Sequence, residues 1–260
     1  MNLRADGRVL RVGHKGAAAL EPENTLRSLA RAIELGVDLV EFDVLDLLDG
    51  TLVLAHSDDL LEVSHGEAAG SVRMQSLADL RRVAPELPTL DDALGFIAGS
   101  RRPVGAHIDL KWHGYEEPVV EALRRHGLVE RSLVSTVHGS SLRTISRLEP
   151  AIARGLTYPY DRRGLSRRKV LAPATLGALA GLRRSLPYRI ERLLGRAEAT
   201  AAVLQYRIVT RAAVRRCHAL GAPVFAWTVD SPAVLRRLAR AGIDGVITND
   251  PRIFTTTLRS

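Results

Sequence analysis

"LVEFDV", residues 39–44, alternates two chemistries along one short run. Extended chain turns successive side chains to opposite faces, so Glu41 and Asp43 share one face. Val40, Phe42 and Val44 share the other, as expected of a strand that packs against helices and points its carboxylates into a parallel barrel.

The rest of the chain repeats that theme. Apolar runs of strand type lie at Val9–Val12, Leu39–Val44, Leu52–Ala55, Val104–Leu110 and Ser132–Thr136. Others lie at Ala151–Leu156, Ala201–Leu204, Val224–Val229 and Gly245–Ile247. Helical patterns alternate with them at Thr25–Leu35, Leu77–Val83, Leu90–Ile97, Glu116–His126, Ser141–Leu148, Arg211–Leu220 and Pro232–Ala241. Several of these stop at a glycine (Gly36, Gly127, Gly221, Gly242), where a helix exits through the left-handed region. Repeated β-then-α units imply a parallel sheet. About eight strands in a chain of this length favour a closed (β/α)8 TIM barrel, residues 1–260 as one domain, over an open doubly wound sheet. The sequence has no GxGxxG or GxxxxGK[ST] phosphate loop, which removes the usual nucleotide-binding case.

One segment breaks the rhythm. Residues 158–196 are longer than an ordinary connection and rich in arginine, with Leu and Ala between the charges. They predict a basic helical insertion: an extra surface helix pair with a solvated basic face, or a lid or interfacial helix that meets phosphate head groups, which would give peripheral contact with an anionic membrane.

Of the 260 residues, 46% are hydrophobic and 25% charged, which fits a soluble protein with a sizeable core. The formal charge of +8 points to an anionic partner or to a generally arginine-rich composition. A single cysteine, Cys217, excludes an intrachain disulfide. The N-terminus lacks a signal-peptide pattern and no run is long enough to span a bilayer, so a soluble cytoplasmic protein is expected. The basic run 162–169 has no interleaved aromatics and no nucleic-acid-binding motif accompanies it, so no nucleic-acid partner is expected.

Barrel catalysts gather at the C-terminal ends of strands. There the sequence places His14 after the first strand, Glu41 and Asp43 in the second, His56 after "LVLA", and His107, Asp109 and Lys111 in "VGAHIDLK". An unpaired carboxylate inside a barrel is costly, so these acids must be paired or bind a cation. Glu41, Asp43 and Asp109 are an all-oxygen set suited to one hard divalent cation, Mg²⁺ or Ca²⁺. Two histidines beside it can exchange protons near neutral pH. Lys111 adds positive charge for an anionic substrate. The residues alone therefore point to metal-assisted phosphoryl chemistry. His107 reads as supporting or packed, Asp230 as a candidate N-cap for the helix near Pro232, and Asn249 and Asp250 as closing the last loop.

"HKG" at 14–16, "PENT" at 22–25, "EFD" at 41–43, Asp49, Gly50 and His56, "LPTLDDAL" at 87–94, "IDLK" at 108–111, "WTVD" at 227–230 and "GIDGVITNDP" at 242–251 occur in this order. Together they resemble the glycerophosphodiester phosphodiesterase family, which shares its barrel plan with the venom-type phospholipases D. The resemblance implies His14 and His56 as the acid/base pair and Glu41, Asp43 and Asp109 as ligands of one divalent ion. It implies Lys15 and Lys111 at the phosphate of a small-molecule phosphodiester, and Trp227 at the pocket mouth. Glu23 and Asn24 would shape the first loop, Asn24 hydrogen-bonding near His14 or capping the helix. The implied reaction releases glycerol 3-phosphate and an alcohol. The chain departs from the family pattern in having Lys15 for the usual arginine, Asp109 for the usual glutamate, and Ser57 rather than aspartate after the second histidine. The alternative is a lysophospholipase D acting on single-acyl lipids at a membrane, with a cyclic phosphate as one route; a barrel that binds anionic lipid without turnover is the third reading.

Overall fold

The computed structural model describes residue 3 and residues 7–159 and 172–257. Nine strands form one sheet: β1 (Leu10–Gly13), β2 (Leu39–Asp46), β3 (Leu52–Leu54), β4 (Gly105–Leu110), β5 (Ser132–Thr136), β6 (Ala153–Tyr158), β7 (Ala201–Gln205), β8 (Val224–Trp227) and β9 (Gly245–Thr248). Each neighbouring pair from β4 to β9 is parallel, β2 is parallel to β4, and β1 bonds to both β9 and β2. The eight parallel strands therefore close into a (β/α)8 barrel. β3 is not a barrel stave: it pairs antiparallel with β2 as the return arm of a hairpin.

Helices cover the outside: α1 (Leu26–Glu34), α2 (Leu60–Val63), α3 (Leu77–Val83), α4 (Leu90–Ala98), α5 (Glu116–Arg125), α6 (Gly139–Leu148), α7 (Ala172–Ala197), α8 (Arg211–Ala219), α9 (Pro232–Ala241) and α10 (Arg252–Thr257). The starts of α1, α4 and α8 carry side-chain caps from Thr25, Thr89 and Thr210, which satisfy free N–H groups of the first turn.

The alternation in "LVEFDV" holds. Val40, Phe42 and Val44 join Ala106, Ile108 and Leu110 of β4 in the layer against α1, α4 and α5. Leu39, Leu133, Val203, Phe225 and Ile247 pack inside the barrel. Phe225 fills that interior only because Gly245 on the next strand has no side chain: a Cβ there would lie 2.3 Å from the ring.

The insertion is helical, as expected. Residues 160–171, where the first part of an extra helix pair would fall, lie outside the described residues. Beyond them the chain forms one 26-residue helix, α7, with Pro187 inside it. Its C-terminal half is part of the barrel wall, with Leu186, Ile190, Leu194 and Ala197 buried against the layer that includes Ala213, Val214 and Cys217 of α8. Leucines in an arginine-rich helix are thus core contacts at helical spacing on one face.

Candidate active site

Register decides what meets at the barrel mouth. Glu41 on β2 lies beside His107 on β4, Asp43 beside Asp109, and Asp109 beside Ser135 on β5. These inward positions hold a row of polar groups above the apolar interior.

Asp43 is fully buried and held from several sides. The Asn24 amide donates to Asp43 Oδ2 at 3.0 Å, and its carbonyl accepts from Asp43 N–H at 3.1 Å. Lys111 Nζ stands 2.6 Å from Asp43 Oδ1 and donates to Asp109 Oδ2 at 2.8 Å. Asp109 Oδ1 also accepts from Ser135 Oγ at 2.6 Å and Thr157 Oγ1 at 3.3 Å. Ser135 Oγ spends its proton on Asp109, so its 2.9 Å contact with His107 Nε2 makes His107 the donor there. His107 is a buried neutral support: burial pushes its pKa down to about 4.

The "HKG" loop folds back onto β2. Lys15 N–H donates to Glu41 Oε2 at 2.7 Å, and Gly16 N–H to the Glu41 carbonyl at 3.0 Å. Gly16 sits at φ +84°, where a Cβ would lie 2.4 Å from the Ser28 backbone, so only glycine fits between loop and α1. Lys15 Nζ donates to Glu23 at 2.8 Å and lies 4.0 Å from Asp43. Of the two roles expected of Asn24, Thr25 takes the cap of α1; Asn24 hydrogen-bonds beside His14, its backbone N–H donating to the Lys15 carbonyl at 3.2 Å and its side chain pairing with Asp43.

His14 Nδ1 is 2.7 Å from Asn249 Oδ1, and His14 Nε2 is 3.9 Å from Glu41. Asn249 donates its amide to Asp230 Oδ2 at 2.7 Å and its backbone N–H to Asp230 Oδ1 at 2.8 Å. An ionised carboxylate only accepts, which fixes Asn249 Oδ1 as the oxygen facing the ring. His14 therefore donates from Nδ1, and in its neutral form the ring turns a bare Nε2 lone pair toward the carboxylates. Burial lowers the His14 pKa, against the opposing pull of Asp43, which favours this neutral form. Asp230 thus supports the histidine and is not a helix cap; Ser231 holds the N-cap position of α9. Asn249 does more than close a loop.

His56, after β3, sets Nδ1 3.3 Å from Glu62 Oε1. Ser57 Oγ donates to the other Glu62 oxygen at 2.9 Å. Sequence reasoning misses Glu62, because its place six residues beyond His56 on a four-residue helix carries no periodic signal. Trp227 ends β8 half-buried on the interior cluster, its indole N–H donating to the Val203 carbonyl at 3.2 Å. It is not among the residues lining the cavity of about 600 Å³ beside His56, whose walls include Leu54, Val63, Val83 and Leu87.

Glu41, Asp43 and Asp109 offer only oxygen atoms, the donor type that suits a hard cation. Four carboxylates (Glu23, Glu41, Asp43, Asp109) are matched here by two ammonium groups, Lys15 and Lys111. Burial, and then the charge of Asp43, push the Glu41 pKa well up. Burial also works against Asp43, but Lys111, His56 and Lys15 outweigh it and hold its pKa low. Asp43 Oδ1 accepts no aligned hydrogen bond although buried. Lys111 is held above its ordinary pKa by Asp109, Asp43 and Glu41 despite burial. Among the described residues, the acidic and imidazole groups whose ligand atoms lie within 4.8 Å of one another are Glu23, His56 and Glu62 rather than the predicted triad, two of whose members, Asp43 and Asp109, are bridged by Lys111.

Comparison with known proteins gives the family and the fold. A glycerophosphodiester phosphodiesterase of Caldanaerobacter subterraneus is 26% identical over 97% of this chain and 98% of its own. The crystal structure of glycerophosphodiester phosphodiesterase from Thermotoga maritima superposes with a TM-score of 0.73, 22% identity, and coverage of 97% and 99%. An Oleispira antarctica phosphodiesterase in complex with the product sn-glycerol-3-phosphate does so at 0.75, 23% identity, and coverage of 96% and 97%. Residues 14–253 match the glycerophosphoryl diester phosphodiesterase family as a whole. The chain belongs to that family, and is a phosphodiesterase of the glycerophosphodiester class.

Proposed function

We propose that the chain cleaves glycerophosphodiesters to glycerol 3-phosphate and an alcohol with His14 as general base and His56 as general acid. The carrying observation is the His14–Asn249–Asp230 chain, which makes Nδ1 the donor and leaves Nε2 of the neutral ring as the atom that can take a proton. Glu41, Asp43 and Asp109 would hold one divalent cation, Mg²⁺ or Ca²⁺. When bound, the ion polarises a non-bridging phosphate oxygen and offsets charge developing at phosphorus.

His14 Nε2 takes the proton of the attacking hydroxyl, from water or from the substrate's own neighbouring carbon. Asn249 keeps the ring oriented while Nδ1–H stays in place. His56 delivers a proton to the leaving alkoxide, and the Glu62 carboxylate on Nδ1 steadies the imidazolium that this exchange passes through. Lys111 and Lys15 neutralise the phosphate, and Trp227 walls the mouth. The glycerol 3-phosphate bound by the Oleispira protein supports that product.

The test is ³¹P NMR with glycerophosphocholine in Mg²⁺, Ca²⁺ or EDTA. General base loss in His14→Ala removes about 10²–10⁴-fold of turnover. Turnover that survives EDTA would overturn the cation, and His14→Ala at near wild-type rate the base assignment.

A second reading, a lysophospholipase D, is favoured by the mainly apolar cavity beside His56. Cleavage of lysophosphatidylcholine with glycerophosphocholine left intact would move the chain to it. The cytoplasmic setting is checked by cell fractionation; no helix among the described residues is long and apolar enough to cross a membrane. Membrane contact through residues 158–196 would rest, among the described residues, on the arginines of α7, and vesicle sedimentation tests it.

A further inference from the structure

Ten arginines spread around the described surface are matched by acids, among them Arg8 and Arg11 with Asp38, Arg73 with Asp46, Arg125 with Asp91 and Arg252 with Asp250. Many other described arginines also have no carboxylate partner, but four of them converge on one cavity. Arg183 of α7, Arg211 of α8, and Arg237 and Arg240 of α9 line one cavity of about 250 Å³, and no acidic residue lines it. None of the four makes an ion pair among the described residues.

Backbone carbonyls hold three of them in place. Arg183 Nη1 donates to Arg207 O at 2.9 Å and Val209 O at 3.3 Å, Arg211 Nη2 to Arg240 O at 2.9 Å, and Arg237 Nη2 to Tyr206 O at 3.1 Å. A carbonyl orients a guanidinium and leaves most of its five N–H groups and all of its net charge unmatched. The cost shows at Arg237, whose pKa is lowered by partial burial and then by the charge of Arg183. Arg183 also lines an adjoining cavity of about 790 Å³ with Arg184, Arg215 and Arg216, and no acid is in its lining. Glu191 does reach Arg216 from one side.

We propose that the groove between α7, α8 and α9 binds a phosphate group through Arg183, Arg211, Arg237 and Arg240, separately from the catalytic carboxylates. Guanidinium forks suit phosphate oxygens, and positions fixed in advance by backbone carbonyls reduce the ordering that binding requires. The phosphate can belong to a free anion or to a lipid headgroup, and two arms separate these sources.

Full-length protein is titrated calorimetrically with inorganic phosphate, and sedimented with vesicles of phosphatidylglycerol or of phosphatidylcholine alone. Arg211→Gln/Arg237→Gln is the test variant. Arg240→Gln is the second, because its side chain holds no carbonyl among the described residues and its loss leaves the loops tied. Competitive inhibition of turnover by phosphate reports the active site independently. The expected result is a phosphate event outside the active site weakened about tenfold or more by either variant, with turnover and its inhibition unchanged. Phosphate binding without vesicle binding assigns a free anion; arginine-dependent sedimentation with phosphatidylglycerol alone assigns a headgroup. Unchanged binding in both variants, or no phosphate event beyond the active site and no vesicle binding, overturns the proposal. Arginine-dependent binding of duplex DNA with neither of the others overturns it in favour of a polynucleotide.

Discussion

Asn24→Ala tests whether the clamp on Asp43 stabilises the barrel mouth. Asn24 is 2% exposed and sits at φ +58°. Removing its amide takes a hydrogen bond from a buried carboxylate, a loss of about 1.5–3 kcal/mol. Removing its carbonyl leaves Asp43 N–H without its acceptor, about 1–3 kcal/mol more. Alanine in the left-handed region adds about 1 kcal/mol. The contributions share partners and do not simply add, so the expected loss is about 3–5 kcal/mol. For a chain of this size that lowers the melting temperature by about 10 °C. Urea and thermal denaturation measure it. Asn24→Gly makes the same hydrogen-bond deletion without the backbone strain, so it should be about 1 kcal/mol more stable than the alanine variant. If both variants melt within about 2 °C of wild type, equivalent to under about 1 kcal/mol, the clamp adds nothing and the reasoning fails.

Asn249→Leu frees the His14 ring and its tautomer; kcat should fall about 10–100-fold with KM unchanged, and a KM effect alone would contradict the positioning role. Asp38 accepts from Arg11 N–H at 2.8 Å and from the Arg8 and Arg11 guanidiniums, which outweigh burial and lower its pKa from the ordinary 3.8. Its contribution is therefore complete above that value and lost as pH falls through the lower folded value. The stability gap between wild type and Asp38→Asn, read from urea midpoints, should be largest at neutral pH and close on acidification; a gap constant down to pH ~2 would contradict the assignment. Gly245→Ala drives a Cβ into Phe225 and should cost about 1–3 kcal/mol, with a shift in near-ultraviolet circular dichroism; Gly245→Ala/Phe225→Leu should recover part of it.

Much of the fold is legible in the sequence because the information is local. The period of two in residues 39–44 and 105–110 gives both the apolar outer layer and the inward acids, and the C-terminal glycines mark helix ends without any tertiary input. The features that escape are long-range. The strand at Leu52 has the composition of a barrel stave, and only its partner on β2 reveals it as a hairpin arm. The leucines of α7 read as spacing between charges because the layer they enter lies on β7 and α8. Ser57 reads as a lost aspartate; folded, its hydroxyl buttresses Glu62, which in turn holds His56.

Asn249 shows how closure makes a site that no segment contains. β1 and β9 lie at opposite ends of the sequence, yet Gly13 pairs with Thr248 and His14 N–H donates to the Thr248 carbonyl at 2.8 Å. The residue just past β1 must then face the residue just past β9, which brings Asn249 to His14 across 235 positions. Asp230, beyond β8 and Trp227, supplies the next link from the adjacent strand, accepting from Thr248 and Asn249 at once. The donor role of His14 Nδ1 is thus written in the order of strands around the ring. A single "ND" after an apolar run has that meaning only once the barrel is closed, and a slip of one residue in the β1–β9 register would move Asn249 to the other face of its strand and leave His14 Nδ1 without its acceptor.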